Sequence, residues 1–362
     1  MKPRLLSRER SPRRGAKPPA EQPPVLLEAD VVPGLEPVAA AEITRLGGRV
    51  TARAPGRLQF VWSRKAPPAA QTVLAIYTVR RFPVPRPRAL LGDQHLRALL
   101  SQVTHALDLI GREACQTFML GAAGKDTEVM QRLRAAIAAH TGLTETDHEG
   151  NLLIRVRPSA QGGWETLVRL SPRPLSTRPW RVCLVPGALQ ASVAQAVVQL
   201  TQPREDDVYL NLCCGSGTLL IERALAGRAR RLLGCDLDPA ALRCAEQNDA
   251  AYRALAGARA QPIELHNWDA CALPLADGSV NVITADLPFG HSVSTAKDNQ
   301  QLYPRLLREA ARVCAPGGRC ALVTADTAAL EAALEECWES VQRLHIVLGK
   351  SNPVIVLLRR LG

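Results

Sequence analysis

A doubly wound α/β fold, with an open and mostly parallel sheet and helices on both faces, is predicted for the C-terminal half of this 362-residue chain. A smaller α+β region precedes it. Three observations carry this reading. A strand–loop–helix unit recurs through DVYLNLCCGSGTLLIERALAG, RRLLGCDLDPAALRCAEQNDA, IELHNWDA and SVNVITADLPFG. The first of its loops holds Gly215-Ser216-Gly217, which permits a sharp turn and close backbone approach to a ligand. Asp236, Asp269 and Asp286 follow the apolar runs of the next three units, so all would stand at one edge of the sheet.

The elements before that half follow a different rhythm. VLLEADVVPGLEPVAAAEITRLGG, residues 25–48, reads as strand, Pro-Gly turn and helix, with the helix stopped by two glycines. GRLQFVW (56–62) and TVLAIYTVRRF (72–82) are strands, and PVPRPRALLG breaks the pattern at about 83–91. A helix is expected over 92–112, a strand over 117–123 and a helix over 126–142. Two alternating strands at 151–158 and 164–172 flank a Gln-Gly-Gly turn. The resulting division is a basic tail over 1–24, small α+β units over 25–90 and 91–175, a linker over 176–187 and the α/β domain over 188–362. ALQASVAQAVVQLT (188–201) is its first helix.

The net charge of +11 favours a polyanionic partner, nucleic acid ahead of an anionic membrane surface. Part of it sits in the proline-interrupted tail, where Lys2, Arg4, Arg8, Arg10, Arg13, Arg14 and Lys17 face few acids; that tail is expected to be disordered, although an Arg-rich start also suits an organellar transit peptide. No apolar run approaches membrane-spanning length and no secretory core opens the sequence, so a cytoplasmic protein is expected. The ten cysteines are spread along the chain without zinc spacing, so no metal is expected and the thiols are taken as buried and reduced. No obligate protein partner is indicated.

The loop CGSGTLLIE is neither a Walker A loop, since no Gly-Lys-Ser/Thr follows, nor a full dinucleotide fingerprint, since Leu220 replaces its third glycine. S-adenosyl-L-methionine is the remaining nucleoside cofactor. Its site is expected to comprise Asn211, Cys213, Gly215, Ser216, Gly217, Thr218, Glu222, Asp236, Leu237, Asp269, Ala270 and Asp286. Asp236, about twenty residues beyond the glycines, would accept the ribose hydroxyls, and Asp269 would accept from the adenine amine. Glu222 would reach the methionine amine or brace the loop.

Asp286-Leu287-Pro288-Phe289 is the expected catalytic segment. A planar exocyclic amine commits its lone pair to the base ring. Acceptors on Asp286 and the Leu287 carbonyl would take its hydrogens and orient the lone pair, Pro288 would fix the turn, and Phe289 would stack on the base. Gly290 would let the chain pass closely. A cysteine nucleophile is not expected, because an amine attacks unaided.

Together CCGSGTLLIE, NWDACALPLADGSVNVITADLPFG and QLYPRLLREAARVCAPGGRCALVTAD resemble the THUMP-domain class I RNA methyltransferases of the tRNA guanosine-N2 type. VVPGLEPVAAAEI and LSTRPWR resemble that family's opening and linker. The resemblance is specific in the C-terminal half and diffuse in the N-terminal half. It implies a Rossmann-like class I methyltransferase domain behind ferredoxin-like and THUMP units. It also implies docking on structured RNA, a tRNA acceptor stem, with Arg178 and Arg181 as phosphate contacts. The chain departs from the family pattern at Asn211, at His291-Ser292-Val293-Ser294 and at Gly-Lys-Ser-Asn-Pro within a final hairpin over 345–360. Two alternatives stay open at this stage: an adenine-N6 methyltransferase on RNA or DNA, and a catalytically silent RNA-binding protein that keeps the fold.

Overall fold

In the computed structural model, which describes residues 24–124, 126–148, 150–288, 296–349 and 351–362, the chain builds two sheets. The first takes β1 (Val25–Asp30), β2 (Arg49–Ala54), β3 (Arg57–Trp62), β4 (Ala75–Phe82), β5 (Thr117–Ala122), β6 (Thr144–Glu145), β7 (Leu152–Pro158) and β8 (Trp164–Arg169). Their order is β2-β3-β1-β4-β8-β7-β5-β6, one continuous sheet. It therefore runs across the division expected near residue 90, with β4 and β8 antiparallel from Tyr77↔Arg169 to Phe82↔Trp164.

Both faces pin that seam. On one lie α1 (Glu36–Arg45), α2 (Asp93–Ile110) and α3 (Glu128–Thr141). From α2, Gln102 reaches the Thr78 carbonyl of β4 and the Thr166 carbonyl of β8, each at 3.1 Å. On the other face Arg157 of β7 bonds both Glu28 of β1, at 2.7 Å, and Glu165 of β8, at 2.6 Å. Glu28 and Glu165 are buried, so their charges need this partner.

The second sheet holds β9 (Val208–Leu212), β10 (Arg231–Cys235), β11 (Glu264–His266), β12 (Val280–Asp286), β13 (Cys314–Thr324), β14 (Trp338–His345) and β15 (Val354–Arg360). Its order is β11-β10-β9-β12-β13-β15-β14. The first five are parallel, while β15 runs antiparallel to β13 and β14 antiparallel to β15. α4 (Ala191–Leu200), α5 (Thr218–Ala226), α6 (Pro239–Ala256), α7 (Ala296–Val313) and α8 (Thr327–Ala333) complete the half. Strand order reverses between β9 and β12, the crevice where doubly wound sheets bind ligands.

Three strands escaped the sequence pattern in whole or in part: the two-residue β6, β2 and β14. β2 is an edge strand exposed at every position but Val50, so it has no apolar alternation to read. The final hairpin starts at Trp338 rather than 345, because only Trp338 and Leu344 of β14 are buried.

The two halves share a core. Leu27, Ile43 and Phe60 from the first sheet's side pack in one cluster with Val193 and Val197 of α4 and Val323 and Ile355 of the second sheet. The Pro33-Gly34 turn presses on the end of β14: a Cβ at Gly34 would lie 2.0 Å from the His345 carbonyl oxygen, and Gly34 has φ +98°. Only glycine fits there. Among the described residues, no helix is long and apolar enough to cross a membrane.

Candidate active site

Behind β9 the chain turns through three left-handed residues, Cys213 (φ 48°), Gly215 (φ 54°) and Gly217 (φ 77°), before α5 begins. Gly217 also packs against α6, where a Cβ would meet that of Ala245 at 3.3 Å. Two bonds set this loop against β10: Cys214 N–H to the Cys235 carbonyl at 2.9 Å, and Gly215 N–H to Asp236 Oδ2 at 2.8 Å. Asp236 Oδ1 accepts Asp238 N–H at 3.0 Å, and Asp238 caps α6 ahead of Pro239.

A cavity of about 460 Å³ opens at these strand ends, the size of a nucleoside-cofactor site. Asn211, Cys213, Gly215, Ser216 and Thr218 line it from the glycine loop. Asp236, Leu237, Asp269 and Ala270 line it from the β10 and β11 side, and Asp286, Leu287 and Pro288 close the β12 side. Eleven of the expected cofactor positions were predicted from strand ends and loop chemistry together with Glu222; the cavity gathers all of them except Gly217, which shapes the turn, and Glu222. Phe289, Gly290 and residues 291–294 lie outside the described residues, as do residues 1–23 of the tail and Lys350.

Two buried oxygens on this wall have no partner among the described residues: Asn211 Oδ1 and Asp286 Oδ1. Asn211 Nδ2 donates to the carbonyls of Leu212 and Thr284, which fixes the side chain and leaves the oxygen over. For Asp286 the result is electrostatic. Burial pushes its carboxyl from the ordinary 3.8 up to about 7, and among the described residues no cation opposes it. An uncompensated carboxylate and an acceptor amide in an apolar-walled cavity suit a ligand that brings donors.

Sequence reasoning missed a whole wall. Val185, Pro186 and Gly187, from the segment read as linker, and Ala188 and Leu189, read as the start of the first helix, line the cavity beside the glycine loop, where a Cβ at Gly215 would meet the Val185 side chain at 3.7 Å. Asn248 of α6 holds that segment down. Its Oδ1 accepts the Val182 and Cys183 N–H groups, both at 2.9 Å, and its Nδ2 donates to the Cys183 and Ser216 carbonyls at 3.0 and 2.9 Å. Trp268, also unpredicted as a lining residue, stacks on His266 with centroids 3.8 Å apart and lines the cavity. An aromatic within NWDA was the available signal.

Three expectations need correction. Glu222 does not reach the cavity: it is fully buried and bonded to Arg178 Nε at 2.7 Å. Arg178 is consequently not free for phosphate, since it also donates to the Gln71 carbonyl at 2.7 Å and to that of Leu175. Burial raises the Glu222 carboxyl and the adjacent Arg178 opposes the rise. Arg181 beside it stays half-buried, its guanidinium lowered by burial.

The third correction concerns the thiols. Cys183 and Cys244 form a disulfide with Cα atoms 5.4 Å apart, which ties the cavity-lining linker to α6 one turn before Asn248. Sequence separation of 61 hid the pairing. The other eight cysteines are free. Non-reducing titration of the unfolded protein is therefore expected to count eight thiols, rising to ten after reduction; ten in both would place the pair in its dithiol form. Cys213 and Cys214 are pushed well above the ordinary thiol range by burial, which leaves them poor nucleophiles.

Strand order, glycine loop and acidic strand ends together define a class I methyltransferase domain. The RMKL-like methyltransferase domain family UPF0020 matches residues 178–353. The chain is 32% identical over 185 residues to bovine (Bos taurus) tRNA (guanine(6)-N(2))-methyltransferase THUMP3, covering 48% of this chain and 37% of that protein. It is 29% identical over 349 residues to the tRNA (guanine(6)-N2)-methyltransferase of Thermus thermophilus, covering 92% of this chain and 99% of that one. The crystal structure of TrmN from Thermus thermophilus superposes with a TM-score of 0.69 at 26% identity, covering 93% of this chain and all of that one. Residues 178–353 thus form an RMKL-like methyltransferase domain, and the chain is similar to proteins named as tRNA guanine-N2 methyltransferases. It spans little more than a third of the length of the mammalian relatives it matches.

Proposed function

We propose that the protein transfers a methyl group from S-adenosyl-L-methionine to the exocyclic N2 amine of a guanosine in tRNA. The observation that carries this is Asp286 Oδ1, buried without a partner among the described residues at the end of β12 and facing the same cavity as the glycine loop. The names of the bovine and Thermus relatives support guanine N2 and tRNA over adenine N6.

In this reading the cofactor lies along the glycine loop. Asn211 Oδ1 meets its donor end, Asp236 the ribose, Asp269 the adenine amine, and Leu237 and Trp268 the ring. When bound, S-adenosyl-L-methionine supplies the methyl group on a sulfonium sulfur, which keeps the electron pair of the broken bond. Asp286 accepts one amine hydrogen and takes the proton that N2 releases as its lone pair bonds to carbon. The Leu287 carbonyl accepts the other hydrogen, and Pro288 holds the turn. Phe289 stacks on the flipped base.

Residues 25–90 and 91–175 serve as the ferredoxin-like and THUMP units that dock the acceptor stem, and 188–362 carries the chemistry. The net charge of +11 supports RNA as partner. Such a substrate puts the work in the cytoplasm.

The test is methyl transfer from labelled cofactor to small RNA lacking the modification, followed by digestion to nucleosides. Labelled N2-methylguanosine is expected. Labelled N6-methyladenosine would keep the site and overturn the substrate. Bound RNA with no label in any nucleoside would leave a silent binder.

A further inference from the structure

We propose that Tyr303 of α7 is a positioning residue for the Asp286-Leu287-Pro288 segment, holding the Pro288 carbonyl through a hydroxyl chain that runs in one direction from β13. The proposal rests on the catalytic reading of that segment given above.

Donor and acceptor chemistry fixes the direction. Tyr303 Oη stands 2.8 Å from the Pro288 carbonyl, which can only accept, so the single hydroxyl proton of Tyr303 points there. Tyr303 Oη must then accept from Thr324 Oγ1, 2.9 Å away. Thr324 Oγ1 in turn accepts the Asp326 N–H at 2.9 Å. The chain therefore reads Asp326 N–H, Thr324 O–H, Tyr303 O–H, Pro288 C=O, each bond polarising the next. Tyr303 and Thr324 are both fully buried, so water does not offer these hydroxyls an alternative partner. Burial also pushes the Tyr303 phenol up to about 12, which keeps its proton in place near neutral pH.

The geometry gives this chain a purpose beyond packing. Leu287 N–H donates to the Val323 carbonyl of β13 at 2.9 Å. The segment after Asp286 is thus gripped at two points, the Leu287 amide directly by Val323 of β13 and the Pro288 carbonyl by Tyr303, which the next residue of that strand, Thr324, holds in turn. Neither bond uses the Leu287 carbonyl, which lies between them. Proline locks one of the intervening torsions, so few remain to let that carbonyl swing. With the Tyr303 hydroxyl removed, the far grip is lost and the acceptors for the two amine hydrogens lose their mutual placement.

Tyr303→Phe keeps the ring and removes only the oxygen. Its kcat is expected to fall about 10–100-fold, the scale of a displaced acceptor, with cofactor-product affinity and KM for RNA within about twofold of wild type. Hydrogen exchange at the Leu287 amide is expected to quicken about tenfold. Thr324→Ser, which keeps the hydroxyl, should retain wild-type kcat, and Thr324→Val combined with Tyr303→Phe should cost no more kcat than Tyr303→Phe alone. Unchanged kcat and exchange in Tyr303→Phe would overturn the proposal, as would a higher KM at constant kcat, which marks a binding role. Faster exchange in Tyr303→Phe, where the wild type methylates no RNA, would uphold the grip and sink the reaction assigned to the segment.

Discussion

Asp286→Ala is expected to lower methyl transfer at least about 100-fold, the usual cost of a positioned acid–base group, while making the cofactor-free protein more stable at pH 8. The two effects share one cause. The folded protein holds a carboxyl at about 7 that ionises near 3.8 when free. Below the ordinary value both states are protonated and the group costs nothing. As pH rises from about 4 to about 7 the unfolded chain ionises first, so stability is lost across that window and stays lost above it. At 1.4 kcal/mol per unit the full shift is worth roughly 2–4 kcal/mol, allowing for the group's partial access to solvent. Thermal denaturation should therefore rank the variant above wild type at pH 8 and level with it near pH 4. Equal ranking at both would show that Asp286 ionises normally. The same shift sets the rate profile: wild-type kcat/KM should climb with pH until about 7 and then level off, because the carboxylate is the form that takes the proton.

Arg178→Ala should be the most damaging change away from the cavity, costing about 3–5 kcal/mol of stability. Its partner Glu222 is completely buried, and losing the guanidinium strands that charge. The Gln71 and Leu175 carbonyls lose a donor as well. The penalty should shrink as pH falls, since protonating Glu222 removes the orphaned charge and stability tied to a raised carboxyl is recovered on the acid side. Urea denaturation at two pH values reads this directly. Replacing both partners, as Arg178→Met with Glu222→Leu, should cost less than Arg178→Ala alone. A larger loss in the double variant would mean that the pair contributes more than mutual neutralisation.

What the sequence disclosed and what it hid divide along a physical line. Gly215, Asp236, Asp269 and Asp286 were legible because each follows an apolar strand directly, and a parallel sheet brings all strand ends to one edge. Their placement needs only local pattern and topology. Glu222 was misread because a glutamate in the first turns of a loop-following helix has two sensible destinations. Which one it takes depends on Arg178, 44 residues earlier. The wall from Val185 to Leu189 was invisible for the same reason: three hydrogen bonds join Asn248 to Val182 and Cys183 just before it, a fourth ties Asn248 to Ser216, and neither end of that clamp announces the other. The β4–β8 seam joins two units that each read as self-sufficient, and edge pairing leaves no periodic mark in either strand.

The linker's part in the cavity bears on how the molecule can be cut. A fragment beginning at residue 188 would retain every strand of the second sheet. It would nonetheless arrive with Glu222 unneutralised, Cys244 without its disulfide partner, Asn248 with idle bonds and the ligand chamber open along one side. The seam between the halves is owned by both. The second sheet is no detachable cartridge, and whatever transplants it to another chain must carry the stretch from about Leu175 onward along with it.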